Sequence, residues 1–196
     1  MHLIIGLGNP GRRYEQTRHN MGFLVMDQLS VVKGIPLTDK RSDYSMGKGV
    51  IAGAPVLLAK PQTFMNLSGN AARKLFDYFR IALEDVIVIH DDLDLPFAEM
   101  RLKYGGGHGG HKGLISVMQH LGTGDFNRVR MGIGRPEVKE DVERYVLEPF
   151  AKEEKKRLAT LLETAAEAIT EIVSSGIQTA MGKYNGKAIK NFNEEV

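Results

Sequence analysis

Four polar side chains, His19, Asp91, Asn9 and Asn66, each follow closely on a short apolar run. Leu3-Ile4-Ile5 reads as a buried strand and opens into the glycine-broken stretch from Gly6 to Gly22, which carries Asn9, Tyr14, His19 and Asn20. Val56-Leu57-Leu58-Ala59 leads to Phe64, Met65 and Asn66, and Val86-Ile87-Val88-Ile89 delivers His90, Asp91 and Asp92. If these runs are parallel strands, their carboxyl ends share one rim, where open α/β sheets bind ligands. The inventory at that rim is an imidazole, a carboxylate and two carboxamides, with no nucleophilic serine or cysteine evident. Asp91 is suited to orient His19 and to support its protonated form. Asn9 and Asn66 offer amide donors to an oxyanion or to a substrate backbone. Water is then the attacking group, and the chemistry is hydrolysis of an ester or activated acyl bond.

Each residue has a plainer reading beside the chemical one. Asn9 suits the Asn-Pro-Gly turn in which it stands, and Asn66 suits the cap of the next helix. Asp91 competes with Asp92 and Asp94 as a surface carboxylate, and His19 can be a surface imidazole beside a cap. The joint placement at three strand ends favours the chemical reading. A helix is expected from residue 21, with Met21, Leu24, Val25, Gln28, Leu29 and Val32 on one face and Asn20 as N-cap. His19 then lies just outside the positive helix end, which disfavours an imidazolium and leaves a ring able to take a proton.

Two competing motifs fail on context. Gly6-x-Gly8-x-x-Gly11 fits the dinucleotide fingerprint, but Asn9-Pro10-Gly11 makes a turn and no helix opens at the glycines. Asp27, at a tolerable distance, falls inside a helical pattern rather than at the end of a second strand. His90, Asp91, Asp92, Asp94, His108 and His111 invite a metal, but their spacing matches no strong signature and none is assigned. Arg101 and Lys103 alternate onto one strand face, as do Arg128 and Arg130. With Lys112 and Arg135 they form a candidate phosphate patch near the glycine loop at 105–113, against the alternative of ordinary solvated strand faces.

The elements that must hold these groups alternate between strand and helix patterns. Residues 45–52 and 55–60 read as a hairpin and 99–104 as a strand nearer an edge. Helical patterns cover 114–121, 139–146, 151–175 and 177–184, with Gly176 ending the longest, and a last strand covers 128–134. The expected fold is α/β: a single domain over 1–196 with a twisted, mixed, largely parallel sheet flanked by helices. The 196 residues suffice for a real core, and 42% hydrophobic with 26% charged residues describes a globular chain. No apolar run approaches membrane-span length and no leader pattern is read, so a cytoplasmic protein without a membrane partner is expected. Without cysteine there are no disulfides, thiolate nucleophiles or thiolate metal sites. A net charge of +2 neither demands nor excludes an anionic partner.

Gly6-Leu7-Gly8-Asn9-Pro10-Gly11, Tyr14, the run from Thr17 to Gly22, the run from Lys60 to Gly69, His90-Asp91 with Leu93-Asp94, and the run from Gly105 to His111 resemble, in order, the signature blocks of bacterial peptidyl-tRNA hydrolases. The likeness extends over nearly the whole chain. It implies a monomeric α/β enzyme, with no cofactor and no obligate protein partner, that cleaves the ester joining a peptide to the terminal ribose of tRNA and recycles tRNA from aborted translation. By that likeness His19 is the proton acceptor, Asp91 holds it, and Asn9 helps distinguish blocked from free aminoacyl groups. Tyr14, Phe64, Met65 and Asn66 match substrate-binding positions, and Arg101, Lys103 and Arg130 match basic positions near the tRNA phosphates. Position 112 departs from the pattern: the family usually carries Asn there, and this chain has Lys112. Turned to the site, Lys112 lowers the basicity of His19 and attracts the tRNA end; turned to solvent, it leaves a substrate contact missing. The rival readings are a non-catalytic RNA-binding relative and a small metal-dependent hydrolase.

Overall fold

The structure is a computed structural model and describes residues 1–136 and 141–186. Seven strands form one mixed sheet: β1 (His2–Gly6), β2 (Asp39–Lys40), β3 (Tyr44–Ile51), β4 (Ala54–Pro61), β5 (Val86–Asp92), β6 (Met100–Tyr104) and β7 (Asn127–Gly132). Their spatial order is β2-β3-β4-β1-β5-β7-β6. β4, β1, β5 and β7 run parallel, and β2, β3 and β6 are antiparallel to their neighbours. The helices are α1 (Met21–Lys33), α2 (Ser68–Tyr78), α3 (Lys112–Leu121), α4 (Val142–Val146) and α5 (Lys155–Tyr184).

The central strands are apolar on both faces because both are covered. Their alternation divides the core. Ile4, Leu58, Ile87 and Ile89 pack with α1 and α5, while Leu3, Ile5, Leu57 and Val88 pack with α2 and α3. The chain leaves β1 for α1, which lies against the sheet so closely that two glycines are needed. A Cβ at Gly22 would strike the Leu7 amide and the Ile89 carbonyl, and one at Gly6 would strike the Gly22 carbonyl. α1 therefore starts where the carboxyl ends of β1 and β5 meet.

The expected hairpin is β3–β4, and the three apolar runs are the adjacent parallel strands β4, β1 and β5. Several local expectations are corrected. Val32 is 56% exposed, and the covered side of α1 is carried instead by Met21, Gly22, Phe23, Val25, Met26 and Leu29. The side chain of Asn20 does not cap α1; it turns back to the Asn9 backbone. α2 begins after Leu67, without a side-chain cap from Asn66. The break expected at Gly176, by contrast, is present: with φ 80° and ψ 164° it divides the long C-terminal element α5 into the two helices expected on either side of it. Of the helix expected over 139–146, residues 139 and 140 lie outside the described residues and α4 is the remainder.

The outer edge of β6 is covered by a side chain. The Leu102 amide donates to Asn185 Oδ1 at 2.8 Å, and Asn185 Nδ2 donates to the Leu102 carbonyl at 2.9 Å. No helix among the described residues is long and apolar enough to cross a membrane.

Candidate active site

β1, β4 and β5 end on the same rim, beside a cleft of about 670 Å³. His19 sits in a 3-10 turn, Arg18–Asn20, immediately before α1. Its Nδ1 lies 3.0 Å from each oxygen of Asp91, the penultimate residue of β5, which is 3% exposed. Asp91 Oδ1 also lies 2.9 Å from His111 Nε2. His111 caps α3: its Nδ1 accepts from the Gly113 and Leu114 amides at 3.1 and 3.2 Å. A nitrogen that accepts two N–H bonds carries no proton there, so it is Nε2 of His111 that donates its N–H to Asp91. The carboxylate holds the His19 proton on Nδ1 in the same way. His19 Nε2 is left with its lone pair and no protein partner among the described residues, in a ring that lines the cleft.

The electrostatics of the pair differ from the expectation of a helix-end histidine. Burial pushes the His19 imidazole down, but the charge and hydrogen bond of Asp91 outweigh it and Lys112 opposes them weakly; the net shift is upward. Burial pushes Asp91 up, but His19 and His111 hold it well below the usual carboxylate range. The two imidazoles thus favour the charged form of Asp91. His90, beside it on β5, is pushed down to about 3, chiefly by burial, and hydrogen-bonds through Nδ1 to the Asp91 carbonyl at 2.7 Å.

Asn9 is 7% exposed and fixed on three sides. Its amide donates to Asn20 Oδ1 at 2.8 Å, its carbonyl accepts from Asn20 Nδ2 at 2.9 Å, and its Oδ1 accepts from the Met65 amide at 2.8 Å. Its Nδ2 has no acceptor among the described residues and stands at the cleft. Met65 is buried beneath the cleft, whereas Phe64 and Asn66 are exposed along it and Tyr14 lines it from the 3-10 turn Arg12–Tyr14.

The basic residues separate. Cross-strand register sets Arg101 opposite Arg130 and Lys103 opposite Arg128. Arg130 donates to Asp92 at 2.7 Å, Lys112 pairs with Glu143 at 2.7 Å, and Arg135 pairs with Asp94. Lys103 reaches the cleft with no carboxylate partner among the described residues, and Arg101 is exposed but outside the cleft lining. Arg128 is 2% exposed and holds loop carbonyls, so it leaves the expected surface patch. Lys112 begins α3 on the exposed side, where Glu143 answers its charge.

The six residues that invited a metal do not converge. Asp92 and Asp94 hold arginines, His108 accepts the Gly110 amide, and His90 faces a carbonyl. The atoms that do approach one another, within 4.8 Å, belong to His19, Asp91 and His111. His111 presents a proton there rather than a lone pair, so a metal would need it as an imidazolate. The sequence reading missed Asn20 as the clamp on Asn9 and His111 as the second donor to Asp91. The signature runs contained both, but their partners lie 11 and 20 positions away.

A protein-family model described as peptidyl-tRNA hydrolase matches residues 3–192. Curated relatives named peptidyl-tRNA hydrolase include one from Geotalea daltonii, 49% identical over 94% of this chain and 96% of its own length. Another, from Exiguobacterium sibiricum, is 47% identical over 94% of this chain and 100% of its own length. The crystal structure of peptidyl-tRNA hydrolase from Acinetobacter baumannii superposes with a TM-score of 0.90 at 37% identity, covering 97% of each chain. With sequence and fold alike over nearly its entire length, the chain belongs to the peptidyl-tRNA hydrolase family.

Proposed function

We propose that this chain hydrolyses the ester between the peptide, or an N-blocked aminoacyl group, and the terminal ribose of tRNA. The observation that carries this reading is the unpaired His19 Nε2 at the cleft, with Nδ1 committed to both oxygens of the buried Asp91. His19 takes a proton from water through Nε2 as the water oxygen attacks the ester carbonyl carbon. Asp91 supports the imidazolium that forms. The free Nδ2 of Asn9, with Asn66 also at the cleft, donates to the developing oxyanion or to the substrate amide. Collapse breaks the bond to the ribose oxygen, which takes the proton back from His19. The products are the free acid and the tRNA hydroxyl.

Tyr14 and Phe64 contribute the apolar surface for the peptide and the terminal base, with Met65 packed beneath them as support. Lys103, Arg130, Arg101 and Lys112 meet the tRNA phosphates, of which Lys103 is the one at the cleft without a competing carboxylate. The chain acts as one domain over 1–196, as a cytoplasmic monomer, with no cofactor, obligate protein partner or membrane. The test is release of free tRNA from an N-acetylaminoacyl-tRNA, with unblocked aminoacyl-tRNA as control. Release from the blocked substrate and not from the control is expected. Failure to release either overturns the reading and leaves a tRNA-binding protein on the same fold.

A further inference from the structure

Arg128 is buried without a paired carboxylate; Asp125 acts on it only through space. A buried cation in that position is costly unless other groups neutralise it. Here its Nη1 donates to the Gly107 carbonyl at 2.6 Å, and its Nη2 donates to the Gly106 carbonyl and to the Gly124 carbonyl, the latter at 3.1 Å. Gly106 has φ 107°, a backbone only glycine adopts without strain, and this lets two successive carbonyls turn inward. Among the described residues no peptide bond is cis, so each amide points opposite to the carbonyl of its own peptide plane. With the Gly106 and Gly107 carbonyls drawn in, the N–H groups of Gly107 and His108 are directed away from Arg128. Neither has an acceptor among the described residues, and both residues are exposed along the cleft. The Lys103 side chain lies against Gly106 on the same loop.

We propose that the Gly107 and His108 amides form an anion site, held in shape by Arg128, that takes a phosphodiester oxygen at the acceptor end of tRNA. Successive outward amides make such a concavity, and Arg128 and Lys103, neither of them hydrogen-bonded to a carboxylate among the described residues, supply the field that favours a negative occupant. Arg128 acts here as a positioning residue, through the loop it grips. The identity of the phosphate donor rests on the hydrolase reading above; the anion site does not.

The first test uses isotope-labelled parent protein. Adenosine monophosphate is expected to move the Gly107 and His108 amide resonances, and adenosine to leave them in place. Equal responses to the two, or none to either, overturn the site. The second test compares hydrolysis of N-acetylaminoacyl-tRNA with that of the N-acetylaminoacyl ester of adenosine, which has no phosphate. Gly107→Pro removes one of the two donors and should lower kcat/KM for the tRNA ester about tenfold more than for the adenosine ester, as loss of a hydrogen bond to a charged group does. Arg128→Lys, which keeps the charge but cannot span three carbonyls, should show the same selective loss. Equal losses on the two esters overturn the site while leaving the hydrolase reading intact. A parent that cleaves neither ester overturns the hydrolase reading, and the resonance test still decides the anion site.

Discussion

Asn20 clasps Asn9 through a reciprocal pair of hydrogen bonds: the Asn9 amide donates to Asn20 Oδ1 at 2.8 Å and Asn20 Nδ2 donates back to the Asn9 carbonyl at 2.9 Å. Asn20 is 1% exposed, so both bonds are made out of reach of water. Replacing it by alanine strands a buried donor and a buried acceptor on Asn9. Asn20→Ala should cost about 1–3 kcal/mol of stability and lower kcat/KM by releasing Asn9 from its fixed orientation. A denaturant titration alongside kinetics checks both. Unchanged kinetics in a destabilised variant would show that Asn9 is held by Met65 alone.

His19→Ala should reduce turnover by ~10²–10⁴-fold while tRNA binding persists, because the residue supplies proton transfer rather than affinity. Near-normal turnover would remove His19 as the base.

The pH dependence carries a definite sign. The folded His19 titrates above its ordinary value because the Asp91 charge outweighs burial. The protonated pair therefore adds stability below the unfolded imidazole value, and this increment is lost as pH rises through the folded value. Asp91→Asn removes the support. The acid limb of kcat/KM should move to lower pH and the plateau should fall, since an amide neither supports imidazolium nor fixes the tautomer. A profile that keeps its limb would exclude Asp91 as the partner.

Lys112 and Glu143 should shift the same limb in opposite directions. Lys112 lowers the His19 value, so Lys112→Asn should move the limb upward. Glu143→Gln leaves the Lys112 charge unanswered and should move it downward. Two unmoved profiles would make the pair an ordinary surface contact.

Salt dependence distinguishes the cations. A single-stranded contact contributes a slope of about −0.7 per neutralised phosphate. Arg130 already holds Asp92, so a phosphate there displaces a carboxylate rather than only salt ions. Lys103→Ala should flatten the slope of affinity against salt more than Arg130→Ala, and Asp92→Asn should tighten binding. Equal effects of the two cation variants would contradict this order.

The elements that were legible from sequence are those fixed by local pattern. Three apolar runs each ending in polar residues mark β1, β4 and β5, the parallel centre of the sheet. What stayed hidden depended on groups distant in sequence. The dipole at the start of α1 argued for a depressed His19, but a carboxylate 72 positions away reverses the sign. Asn20 and Asn66 have the residue type of caps, a local rule, yet one binds a loop and the other stands at the cleft. Arg128 alternates with Arg130 as a surface residue would, and only the glycine loop folding over it makes it interior. Glu143 had no signal, since its partner is 31 positions back.

The pairing of Asn185 with Leu102 gives the far edge of the sheet a further property. An uncovered strand edge offers its backbone to any other extended chain and is a template for self-association. The single carboxamide fills one donor and one acceptor of β6 as a neighbouring strand would, without supplying a strand that could itself be extended. The end of α5 thus works as a stopper against polymer growth, on the opposite strand edge from the short β2.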